Sequence, residues 1–223
     1  FEKQSMDPLP NPCVDTGRGW ERTAGVLSGF SSVYETDVFN PIVQKVCEIA
    51  NYKMGTDEQK DRAVRIISDH LRAACMCIAD GILPSNTGRG YVLRRLLRRS
   101  IVVAKRTLGI EKQFLCELFP SVLSSLGDPF TELKDRESLI TNTLQQEETN
   151  FRHTMEEGIQ KFFSLLDQSK SSKKFNGENA FFLYDTFGFP YELTKELAKE
   201  HHLEIDDDEF YNCMKQAQER SRS

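Results

Sequence analysis

The residues best suited to chemistry lie near the start of the chain, in the segment Val-Asp-Thr-Gly-Arg-Gly-Trp-Glu-Arg at positions 14–22. Gly17 and Gly19 allow the backbone to approach a ligand closely, and the start of a helix predicted after them attracts anionic groups. Arg22 supplies a guanidinium fork that matches phosphate, and Asp15 could hold a substrate ammonium. The pattern favours a nucleotide and amine site, although a strand, a glycine turn and a surface arginine also occur in many proteins without a phosphate ligand.

A second group of candidate residues is basic. Seven basic residues and no acidic ones lie from Arg89 to Arg106, in a chain whose formal net charge is −5. The arginines at positions 94, 95, 98 and 99 fall on adjoining i and i+4 positions of a predicted helix, so they form one cationic stripe. Such a stripe suits a nucleic-acid backbone, where phosphate contacts position the protein. The alternative is that these arginines pair with acidic neighbours or simply solvate the helix.

A third segment, Leu-Tyr-Asp-Thr-Phe-Gly-Phe-Pro at positions 183–190, places Asp185 in a predicted turn rich in aromatic residues. An aspartate in such a turn often only bonds its own backbone, and the aromatic side chains can be ordinary core. The six cysteines do not show the spacing of a zinc knuckle, so the sequence predicts no metal site in this chain.

Apolar residues at helical spacing predict the elements that position these groups. After a short strand at 13–15, helices are expected from Trp20 onward and around residues 39–49, and then over 57–79, 91–106 and 132–167. A polar loop at 169–174, a turn at 184–190 and two final helices follow. The predicted class is mainly α with a small α/β part at the start.

Composition narrows the class of protein. Hydrophobic residues make up 39% of the 223 residues, which is enough for a sizeable core. The modest net charge creates no strong overall field toward nucleic acid or membrane, so a basic patch must act locally. No segment approaches the roughly 20 apolar residues of a membrane span, and none resembles a secretory signal. A globular, cytoplasmic protein is expected, and an organellar location also fits.

All three segments resemble motifs of the alanyl-tRNA synthetases. VDTGRGWER resembles VDTGMGLER, the third class II motif of that family, and LYDTFGFPYELT resembles LYDTYGFPxDLT. Residues 66–99 resemble the stretch that leads into the family's tRNA-recognition domain. The three motifs occur in the same order as in that family, and the similarity extends over essentially all 223 residues. The resemblance implies the C-terminal part of a class II catalytic domain at 1–55, followed by a helical tRNA-recognition domain at 56–223.

The resemblance also implies roles for individual residues. Asp15 and Gly17 would bind alanine, while Gly19 and Arg22 would bind ATP, with Arg22 the catalytic residue that grips the phosphates. Asn86 and Asp185 would read the G·U wobble pair of the tRNA(Ala) acceptor stem. The other implied tRNA-binding residues are the basic ones of the second segment, Arg89, Arg94, Arg95, Arg98 and Arg99.

The implied activity is ligation of alanine to tRNA(Ala), with ATP and Mg2+ as the substrate complex. The first two class II motifs are expected before Phe1, and an editing domain with zinc ligands after Ser223, so these 223 residues alone are expected to be inactive. Two residues depart from the family pattern: Arg18 stands in place of Met and Trp20 in place of Leu. The alternative function is therefore a non-catalytic tRNA-binding module derived from such an enzyme.

We predict that Asp15→Asn, placed in a complete enzyme that carries this segment, weakens the use of alanine far more than the use of ATP. The substrate ammonium loses its counter-charge, which costs roughly 2 kcal/mol, while the phosphates keep Arg22. Steady-state kcat/KM for each substrate measures the effect. Equal losses for alanine and ATP would show that Asp15 has a structural role instead.

Overall fold

The computed structural model describes residues 11, 13–14, 16–168 and 174–222, and this part of the chain is mainly helical, as predicted. The helices are α1 (Trp20–Leu27), α2 (Asn40–Ala50), α3 (Glu58–Ala79), α4 (Gly88–Leu108), α5 (Leu115–Leu126), α6 (Glu132–Asp135), α7 (Glu137–Gln168), α8 (Gly177–Phe187), α9 (Tyr191–Glu200) and α10 (Asp207–Arg222). A 3-10 turn spans Val33–Glu35. Strands β1 (Lys174–Phe175) and β2 (Glu204–Ile205) pair in parallel, with Lys174 opposite Glu204.

The strand predicted at 13–15 is not present in the described residues. Cys13 and Val14 are outside any strand, and Asp15 lies outside the described residues. A strand needs a neighbour that satisfies its backbone groups, and the sheet described in this structure consists of β1 and β2 alone. The prediction was therefore wrong for Cys13 and Val14, and the short parallel pair near the other end of the chain was not predicted.

Helix α3 is the central element and begins where the sequence predicts. The Asp57 side chain accepts hydrogen bonds from the backbone N–H groups of Gln59 and Lys60, at 2.9 and 3.1 Å, which satisfies two donors that the first turn leaves free. Most apolar positions of α3 are buried, and Val64 and Leu71 are fully buried. Helices α2, α4 and α5 all pack against this face.

The long helix predicted at 132–167 is divided. Helix α6 ends at Asp135, the following residue Arg136 has a non-helical φ of −112° and ψ of 20°, and α7 then begins at Glu137. The glycine inside α7 has a packing reason, because a Cβ added to Gly158 would lie 3.1 Å from Cδ2 of Phe189. The bare backbone lets Phe189 pack across α7. Most of the predicted loop, residues 169–173, lies outside the described residues, and Lys174 belongs to β1.

Helix α5, which was not predicted, starts on a side chain of α7. The carboxylate of Glu148 accepts hydrogen bonds from the backbone N–H groups of Phe114 and Leu115, at 3.2 and 2.9 Å. Nε of Arg152 donates to the same carboxylate at 3.0 Å. Only 1% of Glu148 is exposed, and this burial raises the pKa of its carboxyl. A distant residue therefore supplies the cap that the local sequence lacks.

Helix α8 extends through most of the turn predicted at 184–190. Asn176 caps its start by accepting N–H bonds from Glu178 and Asn179, at 2.6 and 3.1 Å. Gly188 ends the helix in the left-handed region, with φ of +59°. Asp185 consequently lies on the last turn of α8 and not in a loop, which corrects the prediction.

The buried side chains form one continuous core. Ile42 and Val46 of α2 belong to the same buried cluster as the apolar faces of α3 and α5. Residues on both sides of position 55 therefore share packing.

Among the described helices, none combines the length and the apolar composition that a membrane span requires.

We predict that Glu148→Ala lowers the free energy of unfolding by about 3 kcal/mol. The substitution leaves two buried N–H groups at the start of α5 and the guanidinium of Arg152 without their acceptor. Urea denaturation followed by circular dichroism gives the value. Gln146→Ala is the matched control, because Gln146 is an exposed residue of the same helix and its loss should cost under 0.5 kcal/mol. Similar values for both variants would contradict the capping role.

Candidate functional site

The two predicted base-reading residues, Asn86 and Asp185, line the same cleft. Asn86 lies just before α4, and Asp185 lies at the end of α8. The cleft has a volume of about 250 Å³. Its remaining lining comes from α4 and from the α8–α9 region: Tyr91, Arg94, Arg95, Arg98, Tyr184, Gly188 and Pro190. The fold thus brings together polar groups that are far apart in the sequence and surrounds them with three of the predicted arginines.

The loop that carries Asn86 is held tightly against α4. A Cβ added to Gly90 would lie 2.3 Å from the carbonyl oxygen of Leu83 and 2.3 Å from Oγ of Ser85, so only glycine fits beneath the loop. The Ser85 hydroxyl donates to the carbonyl of Thr87 at 2.8 Å. Arg94 completes the attachment, since its Nη1 donates to Oδ1 of Asn86.

Arg98 joins three elements at the back of the cleft. Its Nε donates to Oε1 of Glu147 on α7 at 2.8 Å, and its Nη1 donates to the carbonyl of Gly188. Its guanidinium also lies 4.8 Å from the ring centroid of Phe151. A side chain on Gly188 would collide with this guanidinium, because an added Cβ would lie 2.5 Å from Nη1. Arg98 therefore sets the position of the α8–α9 turn.

The outer arginines of α4 pair with glutamates of α9. Arg95 Nη1 lies 2.7 Å from Oε1 of Glu192, and Arg99 Nη2 lies 2.7 Å from Oε1 of Glu196. Arg106 makes the equivalent pair with Glu200. We call these three pairs the α4–α9 ladder. Pairing with acidic neighbours was the alternative left open from the sequence, and the structure shows such pairing.

Burial separates the two kinds of ion pair. The side chains of Arg98 and Glu147 are 13% and 7% exposed, whereas those of Arg95 and Glu192 are 37% and 43% exposed. An exposed pair contributes about 0–1 kcal/mol, while breaking a buried pair costs about 3–5 kcal/mol. The α4–α9 ladder can therefore exchange its carboxylates for other anions at little cost, and the Arg98 pair cannot.

Two tyrosines line the same cleft as Asn86 and Asp185. The rings of Tyr91 and Tyr184 meet edge to face with centroids 6.3 Å apart. Burial, helped by the nearby charge of Glu192, raises the pKa of Tyr91 to about 12. Burial also raises the pKa of Tyr184. Both phenols therefore keep their protons at neutral pH and present hydroxyl groups beside the cleft.

The first motif lies outside this cleft lining. Gly19 directly precedes α1, and Gly17, Gly19 and Arg22 are all exposed. The departure residue Trp20 is 63% exposed. An ion pair between Glu21 and Arg72 ties α1 to α3. Gly19 and Arg22 thus stand at the start of a helix, as the sequence predicts, while Asp15 lies outside the described residues.

Sequence reasoning missed the acidic partners. Glu147 lies in a polar stretch of α7 that is typical of an exposed helix face, and nothing in the neighbouring sequence indicates that it is buried. The ladder had a signal, because Glu192, Glu196 and Glu200 recur every four residues and face arginines at a similar spacing. Tyr91 was not predicted as a site residue, although it lies only two residues after Arg89 in the sequence.

Comparison with known proteins matches the sequence of this chain to one family. The family model described as tRNA synthetases class II (A) matches residues 1–223. A Borreliella afzelii protein named alanine–tRNA ligase is 47% identical over 216 residues, which cover 96% of this chain and 36% of that protein. The chain belongs to the alanyl-tRNA synthetase family.

Two further members of the family are similar to this chain over nearly its whole length. Proteins with the same name from Parabacteroides distasonis and Pseudothermotoga lettingae are 40% and 41% identical, over 98% and 100% of this chain. The chain spans only 25% and 26% of those two synthetases. The similarity to alanyl-tRNA synthetases therefore concerns about a quarter to a third of the relatives' length.

We predict that Arg98→Ala lowers the free energy of unfolding by about 3 kcal/mol, because Glu147 loses its closest counter-ion inside the protein. Arg95→Ala, the matched control on the same helix, should cost less than 1 kcal/mol because its pair is half exposed. Urea denaturation of both variants measures the difference. Equal small losses would show that Arg98 does not hold the cleft together.

Proposed function

We propose that this chain is part of an enzyme that ligates alanine to tRNA(Ala) at the expense of ATP. In that reaction the alanine carboxylate attacks the α-phosphate of ATP, pyrophosphate leaves, and the terminal ribose of the tRNA then takes the alanyl group. Residues 1–55 contribute to the alanine and ATP site, and residues 56–223 bind the acceptor stem. The two segments are divided by their proposed roles and not by their packing, because they share one core.

Within residues 1–55, Asp15 and Gly17 are the proposed alanine ligands, and Gly19 and Arg22 the proposed ATP ligands. The exposed guanidinium of Arg22, one turn into α1, suits a phosphate near the positive end of that helix. Catalysis of this kind is positioning and charge stabilisation and needs no covalent protein intermediate. In the described residues no three His, Cys, Asp or Glu side chains converge as a metal site. Mg2+ belongs to the proposed substrate complex and arrives with the ATP phosphates.

The observation that carries the tRNA-binding proposal is the shared cleft of Asn86 and Asp185. A side-chain amide and a carboxylate that line one cleft can read the donor and acceptor edges of one base pair. RNA is read in this way where its edges are accessible, and a G·U wobble presents groups that no Watson–Crick pair places at the same points.

Phosphate contacts fall naturally to the outer basic residues. Arg89 is exposed in the first turn of α4, and Arg95 and Arg99 pair with glutamates whose side chains are 43% exposed. RNA phosphates can replace these glutamates because an exposed pair contributes so little. Arg94 and Arg98 belong to the same tRNA-binding surface, where they form the inner wall of the cleft.

The second candidate function is a non-catalytic tRNA-binding module. The observation in its favour is the pair of departures in the first motif, Arg18 and Trp20, which add a charge and a larger ring where the family has Met and Leu. Alanine-dependent exchange of pyrophosphate into ATP by the complete protein separates the two functions. Exchange supports the ligase, and its absence alongside intact tRNA binding supports the module.

We predict that base reading and phosphate binding respond differently to salt. Asn86→Ala and Asp185→Ala should each cost roughly 1–3 kcal/mol of discrimination between two acceptor-stem hairpins that differ only in G·U or G·C at the wobble position. Arg89→Ala should weaken both hairpins alike and reduce the slope of log affinity against log salt by about one unit. Fluorescence anisotropy across a salt series measures both quantities.

The control for charge alone is Lys112→Ala, which removes an exposed cation that lies outside the cleft lining and should leave the slope unchanged. If Asn86→Ala and Asp185→Ala weaken both hairpins equally, these residues support their segments and do not read the pair.

A further inference from the structure

The orientation of the Asn86 amide is set by a neighbouring arginine. We infer that Arg94 is a positioning residue that fixes Asn86 so that its amide group enters the cleft only as a hydrogen-bond donor. The inference rests on the proposed function of Asn86 as a base reader. It gives Arg94 a role distinct from that of a phosphate contact.

Three contacts hold the guanidinium of Arg94. Nη1 donates to Oδ1 of Asn86, Nη2 lies 3.4 Å from the carbonyl oxygen of Pro84, and Nε lies 3.2 Å from Oε1 of Glu147. The two terminal nitrogens thus contact the Asn86 loop at two points, and Nε faces the carboxylate of Glu147 on α7. The side chain is directed inward, away from the α4–α9 ladder in which its neighbour Arg95 takes part.

The chemistry of arginine determines the polarity of the amide. A guanidinium has N–H donors and no acceptor, so the atom of Asn86 that it meets must be the carbonyl oxygen. With Oδ1 held by Arg94, the NH2 group is the part of the Asn86 side chain left for the cleft. An asparagine without such a partner can present either end of its amide, because one end is an acceptor and the other carries two donors.

The support beneath Arg94 is rigid. Glu147 is 6% exposed and is bound to Arg98 as well as facing Arg94, so its carboxylate is fixed inside the fold. The loop itself lies directly on Gly90, where no side chain can intervene. Asn86, although exposed, is therefore oriented by a chain of contacts that begins at a buried residue of α7.

The cleft consequently presents a donor from Asn86 and the accepting carboxylate of Asp185. A base pair that places an acceptor near Asn86 and a donor near Asp185 satisfies both groups. A base pair that lacks either the acceptor or the donor leaves the Asn86 amide or the Asp185 carboxylate buried without a hydrogen-bond partner. The cost of such an unpaired polar group is the usual source of strong discrimination. Arg94 thus contributes to specificity by orienting Asn86.

The test compares four proteins: the wild type, Asn86→Ala, Arg94→Met and the double variant. Methionine keeps the length of the stem and removes every donor, and Arg98 remains to pair with Glu147. The same two hairpins, with G·U or G·C, are titrated against each full chain. We expect Arg94→Met to lower the G·U to G·C affinity ratio by the same factor as Asn86→Ala, roughly 5- to 150-fold. The double variant should show no further drop.

The matched control is Arg95→Met, which removes the adjacent arginine whose partner is Glu192. It should lower the affinity for both hairpins and leave their ratio unchanged. Arg94→Met should leave the salt slope within about 0.3 of the wild-type value, whereas the loss of a phosphate contact changes it by about one unit. An unchanged ratio with a slope lowered by one unit would overturn the inference and leave the proposed function standing. An unchanged ratio in Asn86→Ala would overturn both.

A second measurement does not depend on any substitution of Arg94. In the wild-type chain, the side-chain NH2 of Asn86 should show a heteronuclear NOE as high as that of the α4 backbone, and its proton resonances should shift on addition of the G·U hairpin. The resonance is assigned by its disappearance in Asn86→Ala. A mobile amide in the free protein would contradict the positioning role of Arg94.

Discussion

The buried contact between Arg98 and Glu147 is the constraint on which the cleft depends. It joins α4 to α7, and through the carbonyl of Gly188 it also fixes the turn between α8 and α9. Burial lowers the pKa of Arg98, yet a guanidinium remains protonated at neutral pH, so the pair stays ionic. A charge removed from water must keep its partner, and this requirement gives the two walls of the cleft one relative position.

Two consecutive glutamates of α7 serve different neighbours. Glu147 faces the arginines of α4, and Glu148 caps the start of α5. Both are nearly inaccessible, at 6% and 1% exposed. Because each carboxylate finds its counter-charge or its donors on another element, the polar centre of α7 acts as a junction and not as a solvated face. The apolar core and this polar junction together determine how α4, α5 and α7 are arranged.

The basic helix α4 combines fixed and exchangeable charge. Its inner arginines form contacts within the protein, with Glu147 and with the Asn86 loop. Its outer arginines rest on exposed glutamates of α9, whose contribution to stability is small. A polyanion can therefore bind the outer face without dismantling the inner wall. The same stretch of sequence thus supplies a rigid reader and an adaptable phosphate surface.

The sequence by itself determined the helical class, the extent of α3 and α4, the family, and the residues proposed to bind substrate. These features are local: a 3.6-residue apolar period, the Asp57 cap and long motifs can all be recognised without knowing the fold. Periodicity did not find α5 or the break at Arg136, and turn composition misplaced Asp185, because α8 is stabilised by its Asn176 cap and Gly188. Only the tertiary structure decided which arginines face inward and that Asn86 and Asp185 share a cleft. The physical reason is that their partners, above all Glu147, lie far away in the chain, and the pairing of buried charge depends on distances that only packing creates.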